Sequence, residues 1–128
     1  MRSLAREAVF KLLFSQLFNP SDEGLFTVLC KDLTDNSKQF ANELLDCVQK
    51  NKETYLDKIE NLAIGYKINR LYNVDKCALL IGLAELDHFK QTPVAVVINE
   101  IVNLVAKYST ENSTSFVNGI LAAYSKEV

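Results

Sequence analysis

Apolar residues recur along this chain at intervals of three and four, a period that predicts helices from one end to the other. Over residues 3–18, Leu4, Ala5, Ala8, Val9, Leu12, Leu13 and Leu17 cover more than half of a helical circumference, which places this helix in the core. Ser3, Glu7, Lys11 and Ser15 form its wet stripe, and Arg2 and Arg6, four apart, share an adjacent one. Asn19-Pro20 ends it, because the residue before proline disfavours helical backbone. Ser21 is expected to cap a short helix reaching residue 33, with Asp22 and Glu23 in the first turn, where the dipole favours carboxylates. Asn36 with Gln39 resembles a capping box, ahead of a stripe of Phe40, Ala41, Leu44, Leu45 and Val48. A separate helix is expected from about Lys52 to Gly65, with Leu56, Ile59, Leu62 and Ala63 inward, and one more turn at 68–71.

The last third carries the strongest punctuation. Asn73 is expected to cap a helix with Asp75 in its first turn, and residues 77–84 are apolar all round, so this helix is buried on several sides. Gly82 costs about 1 kcal/mol there relative to alanine, a cost usually tolerated for close approach of another helix. Thr92 and Pro93 read as an N-cap and first helical residue. Residues 94–98 alone could be a strand, but Val94, Val97, Ile98, Ile101, Val102, Leu104, Val105 and Tyr108 keep helical period, with 99, 100 and 103 outward. A turn at 109–113 leads to a last helix striped by Phe116, Val117, Ile120, Leu121 and Tyr124. No segment reads as a strand. The expected fold class is all-α, a single-domain bundle of about seven helices spanning 1–128.

Composition narrows the function classes. Four glycines and two prolines suit helices with short connections, and 48% hydrophobic with 23% charged residues suits a soluble protein with its own core. No stretch is apolar enough to span a bilayer or serve as a signal peptide, so a cytoplasmic location and no membrane partner are expected. The net charge of −2 hides an asymmetry. Residues 1–18 carry Arg2, Arg6 and Lys11 against Glu7, while residues 19–60 carry nine carboxylates against five lysines. A basic first helix can bind phosphate on an acidic protein, because screening makes local charge count most.

Candidate catalytic chemistry is thin. Cys30, Cys47 and Cys77 lack metal-type spacing and read as reduced thiols among apolar positions. His88 is the only histidine, so neither a zinc site nor a Ser/His/Asp triad is expected. The glycines are isolated, so no phosphate loop or cofactor is expected. Glu85 and Glu100 are the carboxylates flanked by core residues, and read best as helix ends or partners of buried polar groups. Asn118-Gly119 fits an outward face, although glycine inside a helix usually has a packing reason. A binding module, not an enzyme, is the favoured class.

Two strings are more specific than helix filler: INE at 98–100 and FVNGIL at 116–121. With VDKCALLIGLAEL, the run TPVAVVINEIVNLVAKYSTENSTSFVNGIL and the opening RSLAREAVFKLLFSQ, they resemble the NusB family of transcription antitermination factors. Residues 20–65 match in pattern rather than in letters. The resemblance implies a non-catalytic helical bundle that pairs with the ribosomal protein NusE. It further implies binding of single-stranded boxA RNA in ribosomal RNA leaders, and work alongside NusA, NusG and RNA polymerase. It implies self-association of two copies when the partner is absent. By the same resemblance Arg2 and Arg6 match the basic N-terminal motif, and Asn112 and Ser113 the turn before FVNG. Phe116 matches a phenylalanine that stacks a base or packs in the core, and Asp75 is the expected contact with the ribosomal partner.

The chain also departs from the family pattern. It has two N-terminal arginines where four or more are common, which lowers the expected RNA affinity and salt slope. Leu80 and Ala84 stand where arginine and tyrosine are typical, so a buried ion pair or hydrogen bond made by those residues is expected to be missing. Ser109 replaces a glycine, so the preceding helix is expected to end without a left-handed cap. Two other readings compete. One is the helical module at the N-terminus of some ribosomal RNA cytosine methyltransferases, disfavoured because no α/β domain follows Val128. The other is an interaction module that kept the fold but lost RNA binding, supported by the low arginine count.

Overall fold

The computed structural model describes residues 2–20, 24–65 and 67–128. Among them are six α-helices: α1 Ser3–Gln16, α2 Leu25–Cys30, α3 Asp35–Leu62, α4 Asn73–His88, α5 Val94–Tyr108 and α6 Glu111–Ser125. A one-turn 3-10 helix at Ile68–Arg70 supplies the extra turn expected there, and the described residues include no strand. The all-α reading stands, with one helix fewer than expected.

The missing helix is a fusion. The two helices expected around 40–48 and from Lys52 onward are one rod, α3, of 28 residues, about 42 Å at 1.5 Å per residue. Its buried stripe of Phe40, Ala41, Leu44, Val48, Tyr55 and Ile59 skips one turn near Asn51. The Asn51 side-chain amide donates to the Cys47 carbonyl at 2.9 Å, so the polar residue stays within the helix. The α3 cap is Thr34, whose hydroxyl accepts from Ser37 N, and not the Asn36–Gln39 pair. Ser21, Asp22 and Glu23, the expected cap and first turn of the short helix, lie outside the described residues.

Helix α4 is the hub. Residues 77–86 are all buried, and α4 packs against α1, α3, α5 and α6. Gly82 has the packing reason expected of it: a Cβ there would lie 2.6 Å from Leu121 Cδ2 on α6 and 3.5 Å from Ile101 Cγ1 on α5. Gly119 faces open space, and nothing in the structure explains a glycine there. Asn73 is the first helical residue of α4 and makes no cap; Tyr72 holds the cap position. Pro93 likewise takes the cap position of α5 in place of Thr92, its carbonyl accepting from Val96 and Val97.

Three thiols are free, with Cys30 and Cys77 buried and Cys47 partly so. Burial raises all three above the ordinary thiol range, Cys77 to about 11, which keeps them protonated and unreactive. No helix among the described residues is long and apolar enough to cross a membrane.

Candidate nucleic-acid interface

The start of α6 is built around a buried carboxylate. Asp75, in the first turn of α4, is almost fully covered. Its Oδ2 accepts from the Ser113 hydroxyl at 2.8 Å, and its Oδ1 lies 3.1 Å from the Ser109 hydroxyl. Thr110 caps α6, its hydroxyl accepting from Ser113 N at 3.3 Å. Ser109 has extended backbone and no left-handed cap, as its replacement of a glycine predicts. Its hydroxyl instead joins the α5–α6 turn to α4. Asp75 is therefore an internal brace, and its carboxylate does not face a partner as expected. Ser113 is buried beside it rather than offered to phosphate, and both it and Asn112 lie in the first turn of α6 rather than in a preceding loop.

Above this brace lies a concavity of about 320 Å³ that gathers four of the predicted residues, Asp75, Asn112, Ser113 and Phe116. Arg70, Leu71 and Tyr72 complete its wall. Asn112 is exposed; Phe116 is half-buried, packed on the core and also lining the groove. Arg70 and Tyr72 were missed by sequence reasoning. The available signal was a cation and an aromatic flanking one leucine, just before the start of a helix.

The two N-terminal arginines do not join this groove, and they differ from each other. Arg2 is exposed, stacked over the Phe40 ring with Cζ 4.3 Å from its centroid, and 3.5 Å from the Thr92 hydroxyl. Arg6 is only 4% exposed. Its Nε and Nη2 donate to Glu85 Oε2 and Oε1 at 2.6 and 2.8 Å, a two-pronged bond inside the protein. The expected phosphate-binding role of Arg6 meets a physical obstacle: Glu85 holds its Nε and one Nη2 donor, and almost none of the side chain reaches solvent. Glu85 is 0% exposed and has the buried partner its reading called for. This buried ion pair is made by Arg6 and Glu85; Leu80 and Ala84, buried and apolar, have no polar side chain to add to it.

The expected wet stripe of α1 is partly covered by α5. Ser3 donates to Glu100, which also lies 3.9 Å from Arg6, so Glu100 faces inward to α1 rather than outward. Glu7 accepts from Lys107 at 2.7 Å and also from the Tyr108 hydroxyl. Desolvation pushes the Glu7 carboxyl up, but the bonds from Lys107 and Tyr108 outweigh it and hold the group below its ordinary range. Beside this network the rings of Phe10, Phe14, Phe18 and Tyr108 form a ribbon, with neighbouring centroids 5.2 to 6.2 Å apart. Phe18 at its end is 70% exposed.

A helical scaffold that carries an aromatic-walled groove and an aromatic ribbon open at Phe18 and Tyr108 has the surfaces of a binding module. Similarity to known proteins agrees. The NusB family profile matches residues 2–126, and the chain belongs to that family of non-catalytic antitermination factors. It is 35% identical to the transcription antitermination protein NusB of Ruminiclostridium cellulolyticum, over 98% of this chain and 88% of that one. It is 39% identical to NusB of Methylacidiphilum infernorum, over 98% and 91%. The fold matches T. maritima NusB with a TM-score of 0.93 at 31% identity, covering 99% of this chain and 92% of that one. It matches a chain from the complex of antitermination factors NusB and NusE with dsRNA with a TM-score of 0.87 at 30% identity, covering 99% and 97%.

Proposed function

We propose that this protein is an RNA-binding adaptor of transcription antitermination, which pairs with the ribosomal protein NusE and holds boxA-type RNA from ribosomal RNA leaders. In this reading the pair acts with NusA and NusG on RNA polymerase, in the cytoplasm. The observation that carries it is the groove, where Asn112 and Phe116 stand together on a turn braced by buried Asp75. The end-to-end match to a NusB from an RNA complex supports it. Asn112 supplies a donor and acceptor for a base edge, Phe116 a ring edge for stacking, and exposed Arg2 a phosphate contact. Arg6, Ser113 and Asp75 act at one remove, by holding α1 and the α6 turn in place. The aromatic ribbon, open at its Phe18 and Tyr108 ends, is the docking face for the ribosomal partner, and pairs two copies of the chain when that partner is absent.

The test is fluorescence anisotropy of a labelled single-stranded boxA RNA, titrated with this protein, with the ribosomal partner, and with both, at two salt concentrations. Tighter binding by the mixture than by either component is expected. Phe116→Leu should weaken that binding with little change in Tm; a large loss of Tm with unchanged affinity would assign the ring to the core alone. The burial of Arg6 favours one other reading, an interaction module without RNA affinity, since it leaves Arg2 as the only exposed N-terminal arginine. That reading gains if the two proteins associate and the mixture binds RNA no better.

A further inference from the structure

The chain has three arginines, and Arg6 is withdrawn into the core. Arg70 is exposed, has no carboxylate partner among the described residues, and lines the same groove as Asn112 and Phe116. Tyr72, two residues on, is 64% exposed, a large ring left in water on the groove wall. Nothing in the local fold needs that ring: Tyr72 gives its carbonyl to Lys76 as α4 begins, and Leu71 between the two supplies the buried anchor.

We infer that Arg70 and Tyr72 seat one unpaired nucleotide of the RNA, with its base stacked on the Tyr72 ring beside Asn112 and its phosphate on the Arg70 guanidinium. This rests on the RNA-binding reading above and adds two contact residues to it. The charge layout sets the orientation. Asp75 lies beneath the groove, its oxygens committed to Ser109 and Ser113, so a phosphate driven inward would meet a buried anion. A base has no charge to repel, and offers N–H groups to the Asn112 amide oxygen. The phosphate belongs at the rim, where Arg70 is. A stacking ring, a planar cation and an amide are the groups that recognise single-stranded nucleic acid, because every base has a π face and each phosphate one charge.

The experiment uses the full-length protein with its ribosomal partner and the labelled boxA RNA. Arg70→Gln should lower the salt slope by about 0.7, the value for one phosphate contact on a single strand, while Arg70→Lys keeps it. Tyr72→Ala should weaken binding roughly 5- to 150-fold, and Tyr72→Phe should not. The chain has no tryptophan, so Tyr72→Trp places a single indole at the groove. Its emission, read against the wild-type complex, should be quenched when RNA is added. RNA binding at wild-type affinity by Arg70→Gln and Tyr72→Ala, with an unquenched indole, overturns the assignment and leaves the adaptor reading intact. An emission change on adding the ribosomal partner alone would give the groove to that protein and also overturn it. Failure of the wild-type pair to bind RNA would overturn both.

Discussion

Replacing Arg6 by methionine tests whether this arginine serves the fold or the RNA. Methionine keeps the aliphatic stem and removes both donors, so Glu85, 0% exposed, loses its bonds at 2.6 and 2.8 Å. Breaking one side of a buried pair typically costs about 3–5 kcal/mol, most of it the penalty of an uncompensated buried charge. For a chain this size that lowers Tm by roughly 10–20 °C, a large part of a total stability of about 5–15 kcal/mol. Urea unfolding measures the loss. The double variant Arg6→Met with Glu85→Met should recover most of the stability, since apolar replacement of a buried pair is often neutral. It should also bind RNA with the wild-type salt slope. A single-variant loss below about 1 kcal/mol would refute the burial argument, as 1 kcal/mol is within the range of exposed pairs. A double variant that is stable but has lost one phosphate's worth of slope would return Arg6 to the RNA.

Other perturbations probe the remaining joints. Gly82→Ala should gain about 1 kcal/mol in helix propensity but lose about 1–3 to overpacking against Leu121, a small net loss in chemical denaturation that shrinks when Leu121→Ala is added. Ser109→Gly, although it restores the glycine common in the family, should destabilise by about 1 kcal/mol. The extended backbone needs no glycine and the hydroxyl beside Asp75 is lost; hydrogen exchange in the first turn of α6 should speed up. Glu7 is held below its ordinary value of 4.5, so its stabilisation is complete above that pH and disappears as acid carries the solution through the lower folded value. Glu7→Gln should flatten the acid limb of the unfolding midpoint, and an unchanged limb would place the titration elsewhere.

The helix positions were legible because period and punctuation agree over α1, α4, α5 and α6. The join inside α3 was not, since a gap in the apolar stripe at Asn51 looks like a break unless the side chain is known to bond back to Cys47. Exact caps were missed at Thr34 and Tyr72 because several polar residues compete within one turn. For the site, Asn112 and Phe116 were legible from the FVNG string and do line a groove. The burial of Arg6 is not legible from its residue type, because arginine is rarely buried. The counter-signal was Glu85 inside an otherwise apolar helix: a carboxylate there needs a cation, and Arg6 lies among Ala5, Val9 and Leu13 on the buried side of α1. Which carboxylate meets which cation is a tertiary fact, and periodicity alone does not carry it.

The Arg6–Glu85 pair joins residues 79 apart, and the bonds from Glu7 to Lys107 and Ser3 to Glu100 join residues 100 and 97 apart. During synthesis at about 5–20 residues per second, Arg6 exists for roughly 4–16 s before Glu85 is even made. Throughout that interval α1 presents a bare guanidinium within an apolar face, with Phe10 and Phe14 still uncovered by α5. The first helix to leave the ribosome thus keeps its long-range polar bonds open until α4 and α5 have been made, with only α2 and α3 available to close over it before then.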